Sequence, residues 1–337
     1  MKKKLDYTFV VLSYNHENYI LEHLESIKFQ IKNFGVKYSI DLIVADDCSK
    51  DNTVYLAKLW ISKNRFLFRS VTFTGKSKNV GTCINYTNTW KKIKTTSFKI
   101  TASDDVYSKE NIFKYNKYLK SCDLISCLPL HLLDKKLFFN KWEIFEIISS
   151  DVIYKHYIER IKKISNFNAP NLFFDRKVID NEKIYKFIRR FKVTEDYPMQ
   201  IMLGEVISEP KVMQTTNVAV YYRRTTNSTY IIKNNDFYND KNRIFKYLIK
   251  VEPDQMSKFF ILNRIFCLNI RYKFLSRILN FNIYFFFIKV ILNFMKIMKI
   301  FKSVDINLNS HQLYYQNICN KAAIFSKLYA LDITRET

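Results

Sequence analysis

Over the first hundred residues, short runs of β-branched and aromatic residues alternate with segments whose apolar positions recur every three or four residues. Tyr7 to Leu12 (YTFVVL) predicts a strand ending in polar Ser13-Tyr14-Asn15, and Ile20, Leu24, Ile27 and Ile31 mark one face of a helix after it. Ile40 to Ala45 (IDLIVA) predicts a second strand that ends in Asp46-Asp47-Cys48-Ser49. The helix through Val54, Leu56, Ala57 and Trp60 follows, with Asp51 or Thr53 as N-cap. Phe66 to Phe73 reads as a third strand, Thr82 to Lys92 as a helix and Phe98 to Ala102 as a fourth strand before Ser103-Asp104-Asp105. Such alternation indicates an open α/β sheet with parallel neighbours.

Beyond Asp105 the pattern loosens. Leu124 to Leu130 predicts a strand, Asn140 to Ile164 a helix, Leu172 to Phe174 a short strand, Thr194 to Leu203 a helix, and Val218 to Arg223 a late strand. From about Asp236 only helical patterning remains. The expected division is therefore an α/β unit over 1–235, regular over about 1–105 and looser over about 106–235, then a helical, basic and aromatic region over 236–337.

Composition changes the picture in one respect. The 337 residues carry 55 Lys+Arg against 31 Asp+Glu, a net charge of +24, and this positive field attracts phosphates, anionic membranes or nucleic acid. Against that background the three adjacent acidic pairs, Asp46-Asp47, Asp104-Asp105 and Glu195-Asp196, stand at strand ends or a helix start. Carboxylates at the strand ends of an α/β sheet face the crevice where such folds bind ligands, and they can hold a divalent cation with a phosphate-bearing partner. They would repel a nucleic-acid backbone, which argues against a specific nucleic-acid partner. The six cysteines lack paired spacing and no export segment is evident, so reduced thiols and a cytoplasmic chain are expected.

The motif order resembles family 2 glycosyltransferases with the GT-A fold, inverting enzymes that use nucleotide sugars. The resemblance runs from Tyr7 to Thr229 through VVLSYN (Val10 to Asn15), LIVADDCSKDNT (Leu42 to Thr53), NVGTCIN (Asn79 to Asn85), TASDD (Thr101 to Asp105), NAPNLFF (Asn168 to Phe174), TEDYP (Thr194 to Pro198) and YYRR (Tyr221 to Arg224). It implies a Rossmann-like, mixed but mainly parallel sheet flanked by helices, followed by the all-helical region. Ser13, Asn15, Asp46 and Asp47 would grip the nucleoside, Asp47 facing a uracil or thymine base. Lys78, Asn79 and Gly81 would meet the diphosphate at a helix start with free amides. Asp105, with Asp104 beside it, would hold Mn2+ or Mg2+, serine standing where the family has its first acid. Asp196 would be the general base, supported by Glu195. Where many relatives carry a histidine after the Tyr-Arg pair, Thr225 and Thr226 follow here, so Arg223 or Arg224 would bind diphosphate instead. The five histidines show no ligand spacing.

The implied reaction transfers a sugar from a UDP-sugar or dTDP-sugar to a growing bacterial surface glycan, such as capsule or lipopolysaccharide, with a lipid-linked acceptor among the choices. Nucleotidyl transfer, a nucleic-acid-binding protein and a non-catalytic scaffold are the competing readings. Arg271 to Lys302 places Asn282, Lys289, Asn293 and Lys296 on one narrow helical stripe within a wide apolar face. A helix lying on an anionic membrane explains this, and so does packing against the catalytic unit or a second subunit. Attachment at the inner face of the plasma membrane is the corresponding expectation for location.

Overall fold

The computed structural model describes residues 5–163, 167–224 and 235–329. Strands β1 (Leu5–Ser13), β2 (Tyr38–Asp46), β3 (Ser70–Thr74) and β4 (Ser97–Ala102) form an all-parallel sheet in the order β3-β2-β1-β4. Side chains alternate across it. Tyr7, Phe9, Val11, Leu42 and Val44 pack under the helices Ile20–Phe34 and Thr53–Lys63, whereas Val10, Ile43 and Ile100 pack on the other side with the helix Thr82–Trp90. Burial on both faces explains the near-continuous apolar runs of β1 and β2. Each fully buried side chain such as Phe9 or Leu42 stabilises the fold by about 1.5–3 kcal/mol.

The chain order reverses between β1 and β4. Loops leaving the carboxyl ends of those strands therefore diverge and open a crevice. β5 (Val106–Tyr107) follows at once, and the rest of the chain adds β6 (Leu124–Ser126), β7 (Leu130–Leu133), β8 (Lys136–Phe138), β9 (Leu172–Phe174), β10 (Val212–Gln214) and β11 (Val220–Arg223). These build two small mixed sheets, β10-β6-β9 and β5-β11-β7-β8. The expected strand Leu124 to Leu130 is thus two strands in different sheets. The expected helix from Asn140 divides into Lys141–Ile153, capped by Asn140, and Tyr157–Lys163.

After residue 235 the described elements are all helices, ending in Leu308–Leu328. That last helix returns to the helix Ile20–Phe34, so Ala322 and Phe325 share a core with Phe9 and Ile20. In Phe281–Leu292 the polar stripe turns inward, contrary to an arrangement in which it meets headgroups. Asn282 is buried and donates to the Phe260 carbonyl (3.1 Å), Lys289 pairs with Glu159 (3.1 Å), and Phe286 and Val290 fill the same side. Of the four stripe residues only Lys296, in the next helix Phe294–Lys302, is exposed. The body of the protein offers matching polar partners there, and the apolar face is left outside.

Lys99 of β4 is buried, its Nζ donating to the Leu172 carbonyl at 2.7 Å over the Phe173 ring. Burial lowers its pKa from 10.5 to about 7. Between those values the unfolded chain binds more protons than the folded one, so this residue's contribution to stability rises with pH, by up to about 1.4 kcal/mol per pH unit. Chemical denaturation from pH 7 to pH 10 should show wild type gaining on Lys99→Met; a constant gap would contradict the lowered pKa.

Candidate active site

A cleft of about 1190 Å³ opens at the carboxyl edge of β1 and β4, and residues from all three acidic pairs line it: Asp47, Asp104, Asp105, Glu195 and Asp196. Asp46 does not. Its carboxylate accepts from Ser13 Oγ (3.0 Å), from the Ser49 amide (2.8 Å) and from Ser49 Oγ (2.5 Å), closing the turn behind the site. Asn15 lines the cleft at φ 54°, its Oδ1 held by the Lys50 amide at 2.8 Å.

Asp47 accepts from the amides of Val80 and Gly81, both at 2.9 Å. The amides that sequence reasoning offered to phosphate are therefore spent on bracing a carboxylate. Each carboxylate oxygen keeps acceptor capacity for a ligand N–H. Gly81 sits at φ 88°, a conformation that favours glycine, and a Cβ there would crowd the Lys192 carbonyl at 3.0 Å. Asn79 lines the cleft, whereas Lys78 is exposed outside it.

At the end of β4, Asp105 is buried and its pKa is held well above the usual carboxylate range, by burial first and by neighbouring Asp104 second. Its Oδ1 accepts from the Arg223 amide (2.9 Å), and its carbonyl accepts from His23 Nδ1 (2.7 Å). Arg223 lines the cleft, but its guanidinium is engaged within the protein. Its guanidinium donates to the Asp104 carbonyl (2.5 Å) and to Glu22, approaches Tyr315 Oη at 3.5 Å, and lies over the Tyr19 ring. Tyr315 Oη donates in turn to Glu22 at 3.0 Å. Arg224 lines the cleft, with Nε donating to His131 Nδ1 at 3.0 Å and Nη2 3.7 Å from Glu143. Thr225 and Thr226 lie outside the described residues.

The donor set suits a hard cation. Among the described residues no three His, Cys, Asp or Glu side chains gather as a metal cage. Two adjacent carboxylates, one buried and disfavoured as an anion, match an ion such as Mg2+ or Mn2+ that completes its shell with phosphate oxygens and water.

Glu195 and Asp196 begin the helix Asp196–Val206 across the cleft. The preceding segment is held by buried Asp240, which accepts from the amides of Lys192 (2.9 Å), Val193 (2.9 Å) and Thr194 (3.2 Å). Burial, with Asp196 adding to it, pushes Glu195 up to about 8. Negative charge is thus disfavoured on Glu195 relative to an ordinary carboxylate.

Sequence reasoning passed over several wall residues. His16 shares a 2.8 Å hydrogen bond with Ser103 and stands 3.9 Å from Asp104; its place one residue beyond Asn15 was the available signal. Among the described residues, Asn85 Oδ1 and Thr194 Oγ1 are buried in the cleft wall without a hydrogen-bond partner and offer polar atoms to a ligand. Glu22 and Tyr315 carry no local signature at all.

A parallel sheet reversing at the cleft, mixed accessory strands and a trailing helical region define a GT-A glycosyltransferase fold. The chain belongs to glycosyl transferase family 2, the family of that description matching residues 8–182. Among solved structures it is similar to S. aureus TarS 1-349 in complex with UDP-GlcNAc, with TM-score 0.54 and 15% identity over 97% of this chain and 92% of that one. It is also similar to the mannosyltransferase PcManGT from Pyrobaculum calidifontis in complex with GDP-Man and Mn2+, with TM-score 0.51 and 11% identity over 98% and 88%. Against the longer S. aureus TarS chain the TM-score is 0.53 at 16% identity, covering 80% of this chain but only 44% of that one. No curated protein matches the sequence.

Breaking a buried ion pair by removing one partner costs about 3–5 kcal/mol. Glu22→Ala should therefore lower unfolding free energy by roughly that amount, and Tyr315→Phe, which removes the hydroxyl that donates to Glu22, by about 1 kcal/mol. Urea denaturation measures both; wild-type stability in Glu22→Ala would contradict the clamp.

Proposed function

We propose that the chain is an inverting glycosyltransferase that moves a sugar from a nucleoside-diphosphate sugar, UDP-linked, to a hydroxyl of a growing bacterial surface glycan. The observation that carries this reading is the meeting of Asp47, Asp104-Asp105 and Glu195-Asp196 around one cleft at the strand-order reversal. Residues 1–235 form the catalytic unit and 236–337 a helical region that braces it. The acceptor is lipid-linked, presented at the inner face of the plasma membrane.

In this reading the base lies against Asp47, whose two backbone contacts fix it to accept from the N–H of a uracil. TarS with UDP-GlcNAc supports a uridine donor, and PcManGT with GDP-Man and Mn2+ supports the broader class of nucleotide sugar and a divalent ion. Asp105 and Asp104 would hold Mn2+ or Mg2+. When bound, the ion supplies positive charge that offsets the departing diphosphate. Across the cleft, Asp196 takes the proton from the acceptor hydroxyl as its oxygen attacks the anomeric carbon opposite the leaving group, and configuration inverts. Burial and the neighbouring Asp196 raise the pKa of Glu195, which favours Asp196 as the base of the pair.

Nucleoside diphosphate release from a UDP-sugar in the presence of acceptor tests these roles. Asp196→Asn should reduce kcat by about 10²–10⁴-fold with donor binding retained. Glu195→Gln, which copies the neutral acid, should stay within about tenfold of wild type, given that it keeps the hydrogen-bonding shape of that group. Equal loss in both variants would contradict the division of labour, and near-normal turnover by Asp196→Asn would overturn the assigned base.

A further inference from the structure

Of the 29 large hydrophobic side chains exposed among the described residues, 17 fall between Met256 and Met295. They are not scattered. The helices Gln255–Asn269 and Phe281–Leu292 lie side by side, joined by Lys273–Ile278, with the Phe259 and Phe281 rings 5.9 Å apart and Asn263 fastening the junction through the Leu279 carbonyl (2.8 Å) and the Phe281 amide (2.9 Å). Phe286 and Val290 anchor this unit inward, while Phe274, Ile291, Leu292 and Met295 are each more than 70% exposed. A helix that spends its polar stripe on the protein body and turns its apolar face to water is inverted with respect to a surface helix. Patches of this size mark a surface that is covered in use.

Charge selects the covering partner. From Gln255 to Lys302 the chain has nine Lys and Arg and no Asp or Glu, and Arg271, Lys273, Arg277, Lys296, Lys299 and Lys302 are all exposed. A second copy of the chain would bring its own cationic face into contact with this one. No described helix is long and apolar enough to cross a membrane, and the elements here are short. We infer that the helical unit 255–302 is a docking platform for an anionic lipid bilayer, in which the outward aromatic and aliphatic side chains enter the headgroup boundary and the surrounding cations meet lipid phosphates. The platform is wider than the segment Arg271 to Lys302, and in the helix Phe281–Leu292 the polar stripe is held by the protein while the wide apolar face meets the lipid. Only its purpose, bringing the enzyme to a lipid-linked acceptor, rests on the proposed function.

Flotation of the full chain with vesicles of 30% phosphatidylglycerol in phosphatidylcholine, against pure phosphatidylcholine, tests the platform without requiring catalysis. Binding to the anionic vesicles should fall at least tenfold in Ile291→Glu/Leu292→Glu and in Lys273→Glu/Lys299→Glu, and high salt should weaken it. Because these side chains are already in water, circular dichroism and thermal unfolding should match wild type. Failure of folded wild type to float with anionic vesicles would overturn the inference. So would concentration-dependent dimerisation that Ile291→Glu/Leu292→Glu abolishes while leaving flotation intact, which would assign the face to a second copy. Loss of flotation alone leaves nucleotide turnover intact, so the two proposals fail separately.

Discussion

One buried guanidinium holds the acidic loop of the cleft in place. Arg223 ends β11, donates through its amide to Asp105, through Nε to the Asp104 carbonyl and through Nη2 to Glu22, and Glu22 is held by Tyr315 from the last helix. A buried cation of this kind is tolerable only if every donor finds a partner, and the partners come from the loop after β4, from the helix after β1 and from the helix Leu308–Leu328. The carboxyl end of the chain is thereby coupled to the loop that would receive a diphosphate. Asp240 does the equivalent for Glu195 and Asp196 by holding three consecutive amides ahead of them. The helical region after residue 235 thus supports both walls of the cleft.

The electrostatic logic of the cleft is concentrated negative charge inside a chain of net charge +24. On the proposed reading, the wide positive field would draw a nucleoside diphosphate toward the protein, and a bound cation would offset the local carboxylates of the floor. Across the cleft the same repulsion has a different outcome. Burial and the neighbouring Asp196 raise the pKa of Glu195, so negative charge is disfavoured on that member of the pair.

The strand-helix alternation through β4 was legible because doubly covered parallel strands leave near-continuous apolar runs, and Asp46-Asp47 and Asp104-Asp105 were legible because they follow the ends of those runs. Strands of three or four residues such as β6 and β7 leave too little periodicity to separate, so Leu124 to Leu130 read as one element. Side-chain roles were harder. A sequence does not say whether Asp46 or Asp47 faces the cleft; that depends on Ser13 and Ser49 claiming one and the loop at Val80 claiming the other. Arg223 has the composition of a phosphate ligand, yet its partners, 92 and 201 residues away in sequence, make it structural. The polar stripe at Asn282 and Lys289 was visible, but which side of it meets the protein depends on Phe260 and Glu159.

The central claim is that this cleft is a metal-assisted nucleotide site. Calorimetric titration of UDP, dTDP, GDP, CDP and ADP into the folded chain, with and without Mn2+, tests it most directly when repeated with Asp47→Ala and Asp105→Ala. The account predicts Mn2+-dependent binding that favours UDP or dTDP, with Asp47→Ala losing the base preference and Asp105→Ala losing the metal dependence. Absence of binding to every nucleotide by a folded chain, or binding unchanged in both variants, would contradict it.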